Sequence, residues 1–245
     1  MLGTQIATAT IGEAWLGIAR TILDDGAESV YDSAPILELE RVTLSVAKPA
    51  STDQIVTALG DAGRLAWMHA NFTDRDLVAE LGHARSYASR LYDYGATGRD
   101  QVSWVIDRLR TDPTSRSATI TTFEPLSDTT YIPCVSLLDF WISGGCLASI
   151  VYAHSIDFGA KGYGNLVELA HLMERVAGGL GIAVGRLDFV VKSAHIYEPD
   201  IALMRDAISG LNPSGTSRHP GEPRDSAVLI DQGFAARKGR PLAEE

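Results

Sequence analysis

The stretch that decides the fold of this 245-residue chain is PCVSLLDFWISGGCLASIVYAHSID, residues 133–157. It contains two apolar runs rich in strand-forming residues, at 135–142 and 147–153. Ser143-Gly144-Gly145 separates them, and glycines between two such runs are typical of a tight hairpin turn. The stretch therefore predicts a β-hairpin at the centre of the chain.

Helices and further strands are predicted on both sides of this hairpin. Apolar residues at helical spacing predict helices at 11–25, 51–70, 74–92, 101–110, 165–178 and 201–210. Apolar or β-branched runs predict further strands at 36–46, 118–123 and 186–194. This order indicates an α+β fold in which a central sheet has helices packed on one face.

The composition limits the classes of function. Hydrophobic residues make up 45% of the chain, which is enough to bury a core, and the net charge is −10. An acidic surface disfavours nucleic-acid binding, because phosphates need a basic surface. Two cysteines and the absence of a signal-like start or a long apolar run predict a cytoplasmic protein without a membrane segment.

The composition changes near the C-terminus. From Leu211 onward the chain is rich in Gly, Pro and charged residues. We therefore expect one domain over residues 1–211 and a tail over 212–245 that is partly extended or mobile.

Several short motifs between residues 101 and 197 resemble a known family when they are taken in order. The predicted helix at 101–110 is followed by Asp112-Pro113-Thr114-Ser115-Arg116, then come Pro133-Cys134, Ser155 with Asp157, Asn165, and finally His195-Ile196-Tyr197. This set resembles the core of thymidylate synthases and of the pyrimidine hydroxymethylases related to them. The resemblance implies a thymidylate synthase-like fold with a central mixed sheet, and a homodimer that forms through this sheet.

Cys134 is the nucleophile that the resemblance implies. In the family this cysteine adds to C6 of a pyrimidine ring, which makes C5 nucleophilic. The thiolate is the reactive form, so a nearby cation is needed to lower the thiol pKa. The resemblance gives this role to Arg116, often supplied by the partner subunit. Cys146 is interpreted as a small buried residue.

The remaining motif residues are implied to bind the substrate and a folate. Asn165 would pair with the edge of the base, since an amide offers both a donor and an acceptor. His195 and Tyr197 would contact the sugar of the substrate. Ser155 and His154 would contact the anionic end of the substrate, where a nucleotide has its phosphate. Asp157 would contact the pterin ring of the folate. For each residue the alternative is structural: Asn165 as a helix N-cap, Asp157 as a turn residue, and His195 with Tyr197 as an edge pair.

The chain also departs from the family pattern. Ser117 and His154 stand where the family has phosphate-binding arginines, and none occurs near residues 32–35. Arg41 and Lys161 are candidates to replace them. Arg64 stands where a helix glutamate is expected, and Glu80 does not stand at the offset of that glutamate. The tail at 237–245 does not match the apolar closing segment of the family.

We therefore expect folate-dependent one-carbon transfer to C5 of a pyrimidine nucleotide or nucleoside. Methylenetetrahydrofolate would be the co-substrate, no metal is expected, and the product would be a methyl or hydroxymethyl derivative. Two alternatives stay open. One is a catalytically silent relative that binds a ligand or a partner, and the other is the same cysteine chemistry on a non-nucleotide heteroaromatic ring.

Overall fold

A computed structural model describes residues 3–74, 76–129 and 131–210. Its strands are β1 Gln5–Thr8, β2 Ala27–Tyr31, β3 Ala34–Val46, β4 Leu77–Val78, β5 Ala84–Arg85, β6 Ala118–Thr121, β7 Val135–Ser143, β8 Cys146–Asp157 and β9 Ala183–Tyr197. Its helices are α1 Ile11–Asp25, α2 Gln54–Leu59, α3 Ala62–Thr73, α4 Tyr87–Tyr92, α5 Gln101–Thr111, α6 Gly162–Leu180 and α7 Glu198–Ser209, with a 3-10 turn at Ala79–Leu81. The expected tail at 212–245 lies outside the described residues.

The centre of the fold is a seven-stranded sheet in the order β1-β3-β9-β8-β7-β6, with β2 paired to one end of β3. The pairs β1–β3 and β8–β9 are parallel, and the others are antiparallel. The predicted mixed central sheet with helices is therefore confirmed. The hairpin between β7 and β8 turns at Gly144 and Gly145, which both have positive φ, as a two-residue turn of this kind requires.

The two faces of the sheet differ in burial. Val42, Leu44 and Phe189 belong to one face and are fully buried, and α1, α5 and α6 contact the strands of the sheet. On the other face the aligned residues Leu137 and Tyr152 remain 43% and 39% exposed, although both are large and apolar. Helices therefore cover one face of the sheet, and the other face is partly exposed in a single chain.

The N-terminal helix is tied to the strands that form the site. Thr10 and Glu13 form a capping box that starts α1, so the helix begins where the sequence predicts. Trp15, on the buried face of α1, donates from Nε1 to the carbonyl oxygen of Phe158 at 2.9 Å. This bond fixes the turn that links β8 to α6.

The prediction of one helix over residues 51–70 is wrong at Gly60 and Asp61, where the helix is interrupted. Gly60 has extended backbone angles and ends α2, while Asp61 caps α3 by accepting from Arg64 N at 2.8 Å. Two short helices therefore replace one long helix.

The helix predicted at 74–92 is also wrong over most of its length. Gly82 and His83 both have positive φ, which a helix does not permit, and the chain instead forms the small β4–β5 sheet. Within the predicted span, the described residues after Gly82 and His83 are α-helical only in α4, which Ser86 caps. The sequence prediction also missed β1 and β2.

No helix within the described ranges is both long enough and apolar enough to cross a membrane.

Candidate active site

A cavity of about 640 Å³ opens where β7, β8 and β9 approach α3 and α6. Of the predicted site residues, seven line it: Cys134, His154, Ser155, Asp157, Asn165, His195 and Tyr197. We call these residues the strand wall, since all except Asn165 lie on or beside strand ends. The outer wall comprises Trp67, Met68, Asn71, Ala79–His83 and Tyr87.

The sheet register explains why residues distant in sequence meet in the strand wall. The carbonyl oxygen of Cys134 accepts from the backbone N–H of His154 at 3.0 Å, which places the cysteine beside β8. Asp157 is the register partner of His195 on the parallel strand β9. The ends of three neighbouring strands therefore bring the thiol, the carboxylate and the imidazole to one cavity.

Cys134 lies half-buried among tyrosines. Tyr87 OH accepts from the backbone N–H of Val135, the residue after Cys134, at 3.0 Å. Burial raises the pKa of Tyr87 and of Tyr131, and proximity to Cys134 raises both further. Both phenols therefore stay protonated beside the sulfur, and neither can act there as a base near neutral pH.

Arg116 is not among the described residues that line the cavity. It is exposed, and its Nη1 donates to the carbonyl oxygen of Thr114 at 2.7 Å within its own turn. A single chain thus does not bring Arg116 to the thiol. Its action from a partner subunit stays a prediction.

Asp157 is the half-buried carboxylate of the strand wall. Its Oδ1 accepts from the backbone N–H of Gly159 at 3.0 Å and of Ala160 at 3.2 Å, so the structural role as a turn residue is real. Burial raises the pKa of Asp157, while Lys161 and Arg64 oppose that shift. The carboxylate therefore has two cations nearby.

Arg64, which occupies the expected glutamate position, has a carboxylate partner of its own. Its Nη2 lies 3.6 Å from Asp200 Oδ1, and both side chains are largely shielded from solvent. Arg64 thus belongs to a charge cluster with Asp157 and Asp200. It does not line the cavity among the described residues.

Asn165 is placed by α6, although not as its cap. The helix begins at Gly162 with Lys161 as N-cap, so the N-cap interpretation and the predicted start at Asn165 are both wrong. Asn165 is 4% exposed, and its Nδ2 donates to the carbonyl oxygen of Lys161 at 3.1 Å. This bond fixes the orientation of an amide that lines the cavity.

His195 and Tyr197 form an aromatic corner. Their rings meet edge to face with centroids 5.1 Å apart, and Tyr31 packs against His195 at 5.4 Å. Ser155 Oγ lies 3.5 Å from His195 Nδ1, so the serine and the imidazole are adjacent. The sequence prediction missed Tyr31, which is the last residue of β2.

The predicted anionic end has a different charge arrangement from the one expected. Burial lowers the pKa of His154, and Lys192 lowers it further, so a protonated His154 is disfavoured. Lys161 does line the cavity, with Nζ 5.8 Å from the Trp67 ring centroid, whereas Arg41 is not among the described lining residues. Lys192, which the sequence prediction missed, places a cation near His154 from the neighbouring strand.

The outer wall was not predicted. Asn71 Oδ1 accepts from the backbone N–H of Tyr87 at 3.0 Å, which joins α3 to the start of α4. Glu80, which does not stand at the offset of the helix glutamate, does line the cavity. No motif in the sequence marks these residues, because their placement depends on the positive-φ turn at Gly82 and His83.

Comparison with known proteins agrees with this architecture. The thymidylate synthase family model matches residues 50–214, about two thirds of the chain, and the chain therefore belongs to the thymidylate synthase family. It is a divergent member of this family, as its low sequence identities to the relatives described next show.

A Methanosarcina acetivorans protein named "Putative thymidylate synthase" is 36% identical over 129 residues, which cover 52% of this chain and 59% of that protein. A Methanothermobacter marburgensis protein of the same name is 28% identical over 227 residues, 83% of this chain and 97% of that protein. A Paramecium tetraurelia bifunctional dihydrofolate reductase-thymidylate synthase is 28% identical over 118 residues. The matched region thus spans 59% of the length of the first of these curated relatives.

Proposed function

We propose that this protein transfers a one-carbon unit from methylenetetrahydrofolate to C5 of a pyrimidine nucleotide or nucleoside. The observation that supports this most is the meeting of Cys134, Asp157 and Asn165 in one cavity, from three separate motifs. A cavity of about 640 Å³ is within the usual range for ligand sites.

The reaction begins at the strand wall. The thiolate of Cys134 forms a bond to C6, and the electron pair of the C5–C6 bond moves towards the O4 carbonyl. C5 would then form a bond to the methylene carbon of methylenetetrahydrofolate as one of the two C–N bonds of that carbon breaks and the freed nitrogen takes up a proton. Loss of the C5 proton to base and cleavage of the second C–N bond would leave an exocyclic methylene on C5. Hydride from the tetrahydrofolate, which becomes dihydrofolate, would give the methyl product, or water would give the hydroxymethyl product, as the C6–S bond breaks to release the thiolate. Covalent addition divides one difficult substitution into steps with lower barriers.

The other residues of the strand wall orient the reactants. The Asn165 amide reads the edge of the base, and its bond to Lys161 holds it in one position. His195 and Tyr197 contact the sugar, and Ser155 with His154 faces the anionic end. Asp157 would hold the pterin ring, for which its carboxyl group is an acceptor when ionised and also a donor when protonated.

The dimer is part of the same proposal. The exposed apolar residues Leu137, Ile150 and Tyr152 share the open face of the sheet, which suits it to bind a second copy. Sedimentation equilibrium should show a dimer for the wild type and a monomer for Tyr152→Lys. Leu77→Lys, at an exposed residue outside the large sheet, should leave the dimer intact.

A second candidate function is a silent relative that binds a ligand without turnover. The exposed position of Arg116 and the Arg64–Asp200 ion pair favour it, because neither arginine is among the described residues that line the cavity in a single chain.

Tritium release from C5-labelled UMP, dUMP, CMP, dCMP and their nucleosides, with methylenetetrahydrofolate, separates the two functions. We expect release with at least one substrate, loss of release in Cys134→Ala, and retention in Cys146→Ala, the other free cysteine. Equal signals from the wild type and Cys134→Ala with every substrate would favour the silent relative.

A further inference from the structure

A second group of side chains with metal-binding chemistry lies between α3 and α6. It consists of His69 on α3 with Glu168 and His171 on α6, and none of the three is among the described residues that line the cavity. One ligand atom from each of them lies within 4.8 Å of the other two. The sequence does not show that the three residues meet, because His69 and Glu168 are 99 residues apart.

Glu168 is the unusual member of this group. Its side chain is only 4% exposed, and a buried carboxylate is costly unless cations or hydrogen-bond donors compensate it. His69 Nδ1 lies 3.1 Å from Glu168 Oε1 and 3.3 Å from Oε2. Burial raises the pKa of Glu168, and His69 and His171 oppose that shift. The two imidazoles therefore converge on one buried negative charge.

We propose that His69, Glu168 and His171 bind one divalent transition-metal ion of the zinc class. Two imidazoles and one carboxylate are a ligand set that Zn²⁺ accepts, with a water molecule completing a tetrahedron. Glu168 and His171 are three residues apart on one helix face, the Glu-x-x-His spacing that metal sites in helical bundles use.

The distances fit such a site after small rotations. Ligand atoms at Zn²⁺ bond lengths are roughly 3.3 Å apart in a tetrahedron, which is close to the separation of His69 from Glu168. The side chains of His69 and His171 are 52% and 44% exposed, so both rings can turn inward and an ion can enter from solvent.

An outer carboxylate supports one of the ligands. Glu174 Oε2 lies 3.9 Å from His171 Nδ1, and Glu174 Oε1 accepts from the backbone N–H of Ser51. Carboxylates behind a ligating histidine commonly fix the orientation of its ring. Glu174 is thus held in place to orient His171.

The site would join the two helices that shape the cavity. Trp67 and Met68, just before His69 on α3, line the outer wall, and Asn165 lies one turn before Glu168 on α6. A bound ion would therefore fix the outer wall against the strand wall without touching the reacting atoms.

Titration of the full chain with Co²⁺, followed by Zn²⁺ competition, tests this site. We expect one equivalent of Co²⁺ with the visible absorption of a tetrahedral complex, displaced by Zn²⁺, and a rise in the unfolding temperature. His69→Ala and His171→Ala should each weaken binding by more than the roughly 10–100-fold that loss of an outer-shell partner costs.

Two further variants complete the experiment. Glu168→Gln keeps the shape of the buried side chain and removes the charge, so it should also lose the metal. His83→Ala removes an exposed histidine outside the group and should bind as the wild type does. If the wild type and the His69→Ala/His171→Ala double variant bind Zn²⁺ with the same affinity, whether strong or weak, the proposal is overturned.

Discussion

The strand wall and the outer wall of the cavity differ in how the sequence specifies them. Apart from Asn165 on α6, the strand wall consists of short motifs at the ends of β7, β8 and β9, and register alone brings Asp157 beside His195. The outer wall depends on one unpredicted turn at Gly82 and His83 and on buried polar contacts such as Asn71 with Tyr87. Local sequence patterns therefore predict which functional residues a sheet brings together. The position of a residue on an irregular segment depends instead on tertiary contacts.

The largest expected effect concerns a buried ion pair of α4, the helix that begins with the outer-wall residue Tyr87. Arg90 is 1% exposed and makes a bidentate ion pair with Asp128, with both N–O distances at 2.7 Å. Arg90→Met leaves Asp128 buried without its partner, and we expect the free energy of unfolding to fall by about 3–5 kcal/mol.

Urea denaturation measures this change in the free energy of unfolding. The double variant Arg90→Met/Asp128→Leu should recover much of the loss, because no buried charge is then uncompensated. A single variant as stable as the wild type would show that the ion pair does not anchor the outer wall.

The next effect tests base reading by the strand wall. Asn165→Asp exchanges an amide for a carboxylate, which suits the cytosine edge better than the uracil edge. We expect the ratio of kcat/KM for uracil over cytosine substrates to fall by about 100-fold, since a mismatched buried hydrogen bond costs about 1–3 kcal/mol. Steady-state kinetics on matched nucleotides measures the ratio.

Asn71→Asp is the matched control on the outer wall. Its acceptor oxygen for Tyr87 is kept, so the local fold should hold and the base preference should not change. A similar change in preference for both variants would mean that charge in the cavity, and not contact with the base edge, sets the ratio.

A smaller effect is expected at the anionic end. His154→Arg adds a permanent cation beside Ser155, where burial and Lys192 disfavour a protonated histidine. Each charge-assisted hydrogen bond contributes about 1.5–3 kcal/mol, so kcat/KM for a monophosphate over its nucleoside should rise roughly tenfold to hundredfold. His83→Arg, on the outer wall, should leave that ratio unchanged. An unchanged ratio in His154→Arg would place the anionic end elsewhere.

Much of the strand wall could be predicted from sequence because its residues follow strand or helix signals directly. The position of Tyr31 could not, since the turn that follows it is formed by Asp32 and Ser33, which have positive φ although neither is glycine. Arg116 shows another limit: its motif predicts a role at the thiol, but in one chain the guanidinium hydrogen-bonds its own turn. A motif fixes residue type and order, while the direction of an exposed side chain depends on its neighbours.

The smallest effect is a pH dependence of stability at Asp157. Burial raises the pKa of this carboxyl, so the folded state favours the protonated form. Stability from this group is present below the ordinary Asp pKa and is lost as the pH rises through the raised value. Asp157→Asn should therefore be more stable than the wild type at pH 7, and the difference should shrink as the pH falls.

Thermal unfolding between pH 7 and the acid limit of folding measures this difference. Asp139→Asn on β7, at a residue that is not among the described residues lining the cavity, is the control for the exchange of carboxyl for amide and should change the stability at pH 7 less. A difference between Asp157→Asn and the wild type that grows towards low pH would contradict the assignment of a raised pKa.

The most direct test of the central claim is the mass of the covalent complex. Fluorine at C5 of the pyrimidine cannot leave as a proton does, so the reaction should stop with the Cys134 sulfur still bonded to C6. Incubated with methylenetetrahydrofolate and a 5-fluoropyrimidine nucleotide or nucleoside, the wild type and Cys146→Ala should gain the mass of both ligands, with the modified peptide containing Cys134. Cys134→Ala should gain none. Two results would contradict Cys134 as the nucleophile. The first is a wild-type chain that stays unmodified when it is given the 5-fluoro analogue of a substrate from which it releases tritium. The second is a modification at Cys146.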